Sequence, residues 1–254
     1  MARRRHFNRR HRRGRFGFLY KVVSVLAICG AIVLALTLFF RINTLEVTGQ
    51  QRYTVQQIQQ ASGIRIGDNM FLINKFDAAS ALREKLPYIE EVRINRRLPA
   101  TLTIQVRECT WTAAVQQNGS AWLIGPSGKI VERTEPDAEA ATTSAVLDGC
   151  ELLSPSVGTM LAMASEKQTQ QSSLLALLAA LEDREELDLV NGIHLSEGNA
   201  LTLDYAGRFT VLMPYGGDYP YLLRAARAVM DQLETNETGT IDLTTEGKAY
   251  FRQN

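Results

Sequence analysis

The chain has 254 residues, which bounds it to one or two folded domains, and a formal charge of +1 from 28 basic and 27 acidic residues. That average conceals an asymmetry: residues 1–21 carry Arg3, Arg4, Arg5, Arg9, Arg10, Arg12, Arg13, Arg15 and Lys21 with no acid, so residues 22–254 set 19 basic against 27 acidic groups, a formal −8. A basic arm on an acidic body points to two compartments or two kinds of partner, and the sequence has neither internal repeats nor low-complexity tracts.

Residues 22–40, VVSVLAICGAIVLALTLFF, contain no charge, and only Ser24 and Thr37 are polar. At about 1.5 Å per residue this run spans the roughly 30 Å hydrocarbon core. A core helix of a soluble protein would show a polar face. A cleaved signal peptide would have an apolar stretch of about 7–15 residues ending in small side chains. Here the run is longer and ends Leu38-Phe39-Phe40-Arg41. An uncleaved single span is expected, oriented with the basic arm (1–21) in the cytoplasm and the bulk of the chain exported. The arm is expected to act in topology and in attraction to anionic headgroups, worth about 1 kcal/mol per basic residue near the surface, and not in nucleic-acid binding.

Past the span, Leu45–Gly49 alternates apolar and polar residues and reads as a short strand. Thr54 and Gln57 have capping-box spacing, followed by Val55, Ile58 and Ala61 at helical period. A second helix is predicted from about Asn74 to Leu86, with Phe76, Ala79, Leu82 and Leu86 on its buried side and Pro87 ending it. Val92 and Ile94, then Leu102, Ile104 and Val106, alternate with polar residues on either side of an Arg97-Leu98-Pro99 turn. The order is β-α-α-β-β.

From Cys109 the pattern shifts to a larger α+β unit. Asn118-Gly119 joins two apolar runs as a hairpin, and Gly125–Gly128 makes another turn. Residues 134–144 are acidic, Ala/Thr-rich and aperiodic, and are expected to be a mobile loop. Helices are predicted over Ser172–Glu186, with Leu174, Leu177, Leu178 and Leu181 buried, and over Tyr219–Glu234. Strands are expected near 190–195, 200–205, 208–213, 240–243 and 248–252.

Motifs for chemistry are scarce. His194 is the one histidine beyond the span, and it sits in a strand pattern. The acids Glu182, Asp183, Glu185 and Glu186 read as a solvated helix end. No His-Glu-x-x-His, Gly-x-Ser-x-Gly or Ser-x-x-Lys occurs. Cys109 and Cys150 lack metal spacing, and in an oxidising compartment they could form a bridge or stay as buried thiols. No enzyme activity, cofactor or metal is expected.

Several stretches resemble the FtsQ/DivIB family of cell-division proteins. One is Arg41-Ile42-x-x-Leu45-x-Val47-x-Gly49 after a basic arm and one span. Others are Gly67-Asp68-Asn69-Met70-Phe71, and Pro87-Tyr88-Ile89 followed by Arg97-Leu98-Pro99-x-Thr101-Leu102-x-Ile104-x-Val106-x-Glu108, with Cys109 where arginine is usual. Leu147-Asp148-Gly149 and Ile241-Asp242-Leu243 are looser matches. The resemblance implies an α+β chain: transmembrane helix (22–40), POTRA domain (41–108) and a β domain with an extended sheet (109–254). It also implies a septal scaffold that binds FtsL-like and FtsB/DivIC-like bitopic proteins, and through them regulates the septal peptidoglycan synthase. POTRA units also occur in secretion and outer-membrane assembly proteins. Those carry a barrel of many strands of about ten residues, and this chain has two long helices instead.

The last strand is the candidate partner site. Lys248, Ala249, Tyr250, Phe251 and Arg252 are expected to pair with Thr240–Leu243; only two residues follow Arg252, so an earlier segment would have to cover the other edge if anything in the chain does. Lys248 and Arg252 would blunt that edge, and Tyr250 and Phe251 would give it aromatic surface. Either ring could instead complete the core, Phe251 over Leu222 and Val229.

Overall fold

The computed structural model describes residues 16–253. Helix α1, Phe16–Phe39, is apolar on every side, and its 19-residue window Phe18–Leu36 is long and apolar enough to cross a membrane, with none of it buried against the rest of the chain. It begins earlier than the apolar run suggests, so Lys21 lies on the helix itself, exposed, and not ahead of it.

Next come β1 (Thr44–Thr48), α2 (Val55–Ser62), α3 (Lys75–Lys85), β2 (Ile89–Arg97) and β3 (Thr101–Glu108). The sheet order is β1-β3-β2, with β1 parallel and β2 antiparallel to the central β3. Val47 and Ile94 both register on Ile104, so one sheet face meets the two helices. Thr54 begins α2 through the expected capping box: its Oγ1 accepts from the Gln57 N–H at 3.3 Å, while Gln57 Oε1 accepts from the Thr54 N–H at 2.8 Å. Ile42, Ile58, Met70, Leu82, Leu102 and Ile104 form the solvent-free centre of this unit. Gly49, at φ 87°, passes so close to β3 that a Cβ would sit 2.1 Å from the Val106 carbonyl oxygen. Leu82 and Leu86 are buried as expected, but Phe76 is 84% exposed, and Ala78 takes the buried place in the first turns of α3.

The second unit contains β4 (Ala113–Gln117), β5 (Ser120–Ile124), β6 (Ile130–Thr134), α4 (Glu139–Thr142), β7 (Ala145–Asp148), α5 (Gln168–Asp183), β8 (Val190–Leu195), β9 (Ala200–Tyr205), β10 (Phe209–Pro214), α6 (Tyr219–Met230), β11 (Gly239–Asp242) and β12 (Tyr250–Gln253). They build one mixed nine-stranded sheet ordered β12-β11-β10-β9-β8-β7-β4-β5-β6. Helices α5 and α6 pack side by side over it, burying Leu174, Leu177, Leu178 and Leu181 from one and Leu222, Leu223 and Ala226 from the other. The Asn118-Gly119 hairpin forms with φ of 52° and 70° at its two corner residues. Residues 134–144 are not the open loop expected. They include α4, whose Ala141 is buried, because a one-turn helix lets this alanine pack on the sheet. The parallel strand β7 follows directly, between β4 and β8.

The two units share a third apolar cluster around Tyr88, Cys109, Ala121, Leu123 and Val131. Polar ties run beside it. Lys129, almost wholly buried, donates from Nζ to the carbonyls of Arg83 at 2.7 Å and Ile89 at 3.4 Å. Arg107 pairs with Glu182 at 2.7 Å, and Arg52 with Glu132 at 2.8 Å. The two ends of the large sheet differ. At the β6 end, the 158–160 segment bonds to the edge: the Ile130 N–H donates to the Thr159 carbonyl, and the Gly158 N–H to that of Ile130, both at 2.8 Å. At the other end, among the described residues, β12 pairs with β11 alone.

Candidate partner-binding edge

The C-terminal hairpin is built by a parallel and then an antiparallel pairing. Strand β11 lies parallel to β10, with Ile241 registered on Val211 and both fully buried. Strand β12 then runs back along β11, matching Asp242 with Tyr250, Ile241 with Phe251, Thr240 with Arg252 and Gly239 with Gln253. Asp242 shapes the connection: its Oδ1 accepts from the Thr244 N–H at 2.9 Å and from the Thr244 hydroxyl at 2.6 Å. These bonds hold the Asp242 carboxyl below its usual range. Gly247, at φ 70°, turns the chain into the last strand.

Alternation along β12 separates its two aromatic residues. Phe251 is half-buried against the core, its ring edge-on to Phe209 at 6.5 Å between centroids. Tyr250 is 52% exposed on the opposite face. The floor under Phe251 is Gly239, where a Cβ would lie 2.2 Å from the Arg252 carbonyl oxygen and 2.8 Å from Phe251 Cε2. Of the five residues predicted for the last strand, Tyr250, Phe251 and Arg252 lie in β12. Lys248 and Ala249 differ from that expectation: they lie in the connecting loop, where the Lys248 N–H closes a turn onto the Thr245 carbonyl at 3.1 Å. Both line a groove between this loop and the start of α6, together with Tyr215, Asp218, Tyr221 and Leu243. Tyr221 was not singled out by sequence. Its position off the Leu222/Leu223/Ala226 stripe is the signal that could have found it, and it is 48% exposed.

The other candidate groups are engaged in structure. On the large sheet, His194 lies between two carboxylates, Nδ1 at 3.1 Å from Asp148 and Nε2 at 2.9 Å from Asp204, bridging neighbouring strands. Glu182 is tied to Arg107, and Glu186 takes a two-pronged contact from Arg184 at 2.8 and 3.0 Å. Cys109 and Cys150 are both free and buried. Burial, with Glu90 nearby, pushes the Cys109 thiol up to about 12, and burial alone takes Cys150 up to about 12. Each therefore remains a protonated, unreactive thiol at neutral pH. Among the described residues no three His, Cys, Asp or Glu side chains converge to hold a metal ion. The arginines of the arm, Arg3 to Arg15, lie outside the described residues.

Residues 40–108, the three-stranded unit with its two helices, match the FtsQ-type POTRA domain. The chain is 25% identical over 227 residues to the cell division protein FtsQ of Geotalea daltonii, covering 85% of this chain and 79% of that one. It is 24% identical over 169 residues to FtsQ of Corynebacterium glutamicum, covering 66% and 74%. These matches make the chain similar to the FtsQ/DivIB cell-division proteins. A DivIB relative from Clostridium botulinum is 28% identical over 116 residues, which is 46% of this chain and 43% of that protein. The chain combines an apolar N-terminal helix, an FtsQ-type POTRA unit and a mixed α+β unit with a large sheet. The POTRA match ends at Glu108, so the β12 edge lies outside the residues it covers.

Proposed function

We propose that this chain is a non-catalytic, single-span scaffold of the bacterial division machinery. Its N-terminal arm lies in the cytoplasm, and residues 42–254 are exported at the septum. In this reading it binds FtsL-like and FtsB/DivIC-like bitopic proteins, as the family resemblance implies, and acts on septal peptidoglycan synthesis through them. The observation that carries the proposal is the open edge of β12 with Tyr250 exposed beside it. An unpaired edge offers a row of N–H and C=O groups to an incoming strand. Main-chain bonds supply affinity, and side-chain pockets such as the groove lined by Tyr221 and Lys248 supply specificity.

Phe251 supports the domain and Tyr250 does not, so the two rings separate folding from binding. The test is co-purification of the full chain with each bitopic candidate, comparing Tyr250→Ala and truncation after Gly247 with the parent. Tyr250→Ala should leave thermal stability within about 0.5 kcal/mol and weaken capture by more than about 1 kcal/mol, as for an interface tyrosine. Truncation should abolish capture. Wild-type capture by a folded truncated chain would sink the proposal.

A further inference from the structure

The exposed apolar side chains of this protein are not spread evenly. Outside α1, and among the described residues, five of the eleven large exposed hydrophobic side chains lie in the POTRA unit: Ile66, Phe71, Leu72, Phe76 and Leu98. The first four fall within one short segment, and three of them are at least 70% exposed. Such a cluster on a water-soluble surface calls for an occupant.

The segment is fastened to the end of α1. The Met70 N–H donates to the Phe40 carbonyl at 3.0 Å, the Ile42 N–H to that of Asp68 at 2.9 Å, and the Gly67 N–H to that of Ile42 at 2.8 Å. The side-chain amide of Asn69 donates to the Leu36 carbonyl at 3.2 Å. The Phe71 ring packs edge-on against Phe40 at 5.1 Å. Phe71 and Leu72 therefore share one shallow cleft with Val33 and Leu36, which belong to the apolar window of α1. That window of 19 residues is about 28 Å long at helical rise, close to the roughly 30 Å hydrocarbon core. The uncharged run, residues 22–40, also has 19 residues and carries Leu36 about one turn inside its outer end. Side chains that touch Val33 and Leu36 from outside the helix must then lie at the same depth. Arg41 and Arg65, both exposed, flank the apolar tips at the level where anionic headgroups begin.

We infer that the segment 64–76 of the POTRA unit is a lipid-binding edge that seats Phe71 and Leu72, flanked by Ile66 and Phe76, in the extracytoplasmic leaflet beside α1. The continuity of this patch with a lipid-facing helix favours lipid over a protein occupant. The inference rests on α1 spanning the membrane. Its consequence is orientation: a domain held to the bilayer at two points, the helix end and this loop, cannot swivel freely about residue 40.

The test uses the full chain in vesicles of phosphatidylcholine and phosphatidylglycerol whose acyl chains carry bromine, which quenches tryptophan on contact. Three variants are compared after subtracting the parent emission of Trp111 and Trp122: Leu72→Trp at the proposed edge, Leu26→Trp in the middle of α1, and Tyr250→Trp on the far strand as the aqueous reference. Leu72 is 79% exposed, so a larger ring there has room. The expected result is loss of emission for Leu72→Trp, stronger with bromine near the headgroup than near the chain end, with Leu26→Trp showing the reverse depth order and Tyr250→Trp unquenched. Quenching of Leu26→Trp with Leu72→Trp matching Tyr250→Trp would overturn the lipid-binding edge and leave the span intact. An unquenched Leu26→Trp would remove the span and the inference together.

Discussion

Gly239→Ala tests whether β12 is held as a template for a partner. The added Cβ would lie 2.2 Å from the Arg252 carbonyl oxygen, 2.8 Å from Phe251 Cε2 and 3.0 Å from Gln253 Cα. A carbon–oxygen contact settles at roughly 3.3–3.6 Å, so β12 must retreat by about 1 Å. Hydrogen bonds of about 2.9 Å do not survive such a stretch with useful strength. The obstruction is backbone, so no rotamer change relieves it. Overpacking of this kind costs about 1–3 kcal/mol, and the cost falls on a four-residue strand that Phe251 alone anchors to the core. Fraying of β12 is therefore expected while β8, β9 and α5 stay intact. Whatever binds by extending β12 must restore its register, so affinity for the proposed bitopic partner should fall by roughly 5- to 150-fold, the same energy in binding terms. Amide exchange measured residue by residue, with partner titration on the same samples, makes the check. If Thr240–Asp242 keep parental protection and affinity is unchanged, Gly239 is not the constraint described and the template argument fails.

Two further outcomes follow from the cores. Leu82→Ala removes a solvent-free side chain from the smaller unit and should cost about 2–5 kcal/mol. Since a unit of this size is marginal by itself, exchange protection should be lost over β1, β2 and β3 before it is lost in β8 and β9, and equal loss in both sheets would argue that they unfold as one. Glu90→Gln tests a buried charge: burial, reinforced by Glu182, raises the Glu90 carboxyl above its usual range, against the pull of Arg107. The fold thus favours the protonated form, and the stability Glu90 contributes is greatest at acid pH and is lost as pH rises through its elevated pKa. Denaturant unfolding across that range should show a flatter profile for Glu90→Gln and higher stability at neutral pH. A variant with the parental pH slope would refute this assignment.

Much of the fold was legible because periodicity survives in short windows. The Thr54/Gln57 box, the Asn118-Gly119 hairpin and the Leu174–Leu181 stripe each declare themselves within a dozen residues. What was not legible depended on long-range placement. Phe76 has helical spacing with Leu82 but lies on the exposed side, because α3 turns Ala78 and Leu82 toward the sheet. Strand β7 is four residues long and follows an acidic stretch, so only its neighbours β4 and β8 reveal it as a central strand. Lys248 and Ala249 alternate plausibly with Tyr250, yet the turn at Gly247 uses them before pairing begins. At the candidate edge, the sequence showed which residues were aromatic but not which ring faced inward. That division is set by register with β11.

The unequal ends of the large sheet carry a geometric consequence. Nine strands span eight steps of about 4.8 Å, so β12 stands roughly 38 Å from β6 across a single hydrogen-bonded plate. Because the 158–160 segment closes the β6 border and Arg52–Glu132 clasps it to the smaller unit, the plate can be lengthened on one side only. A recruited strand would then arrive in one copy per chain, at a fixed lateral offset from the anchor, and would itself become the new border. With the proposed partner strand on β12, the reach of the sheet is counted in strands, and inserting or deleting one would move that partner by a single strand spacing.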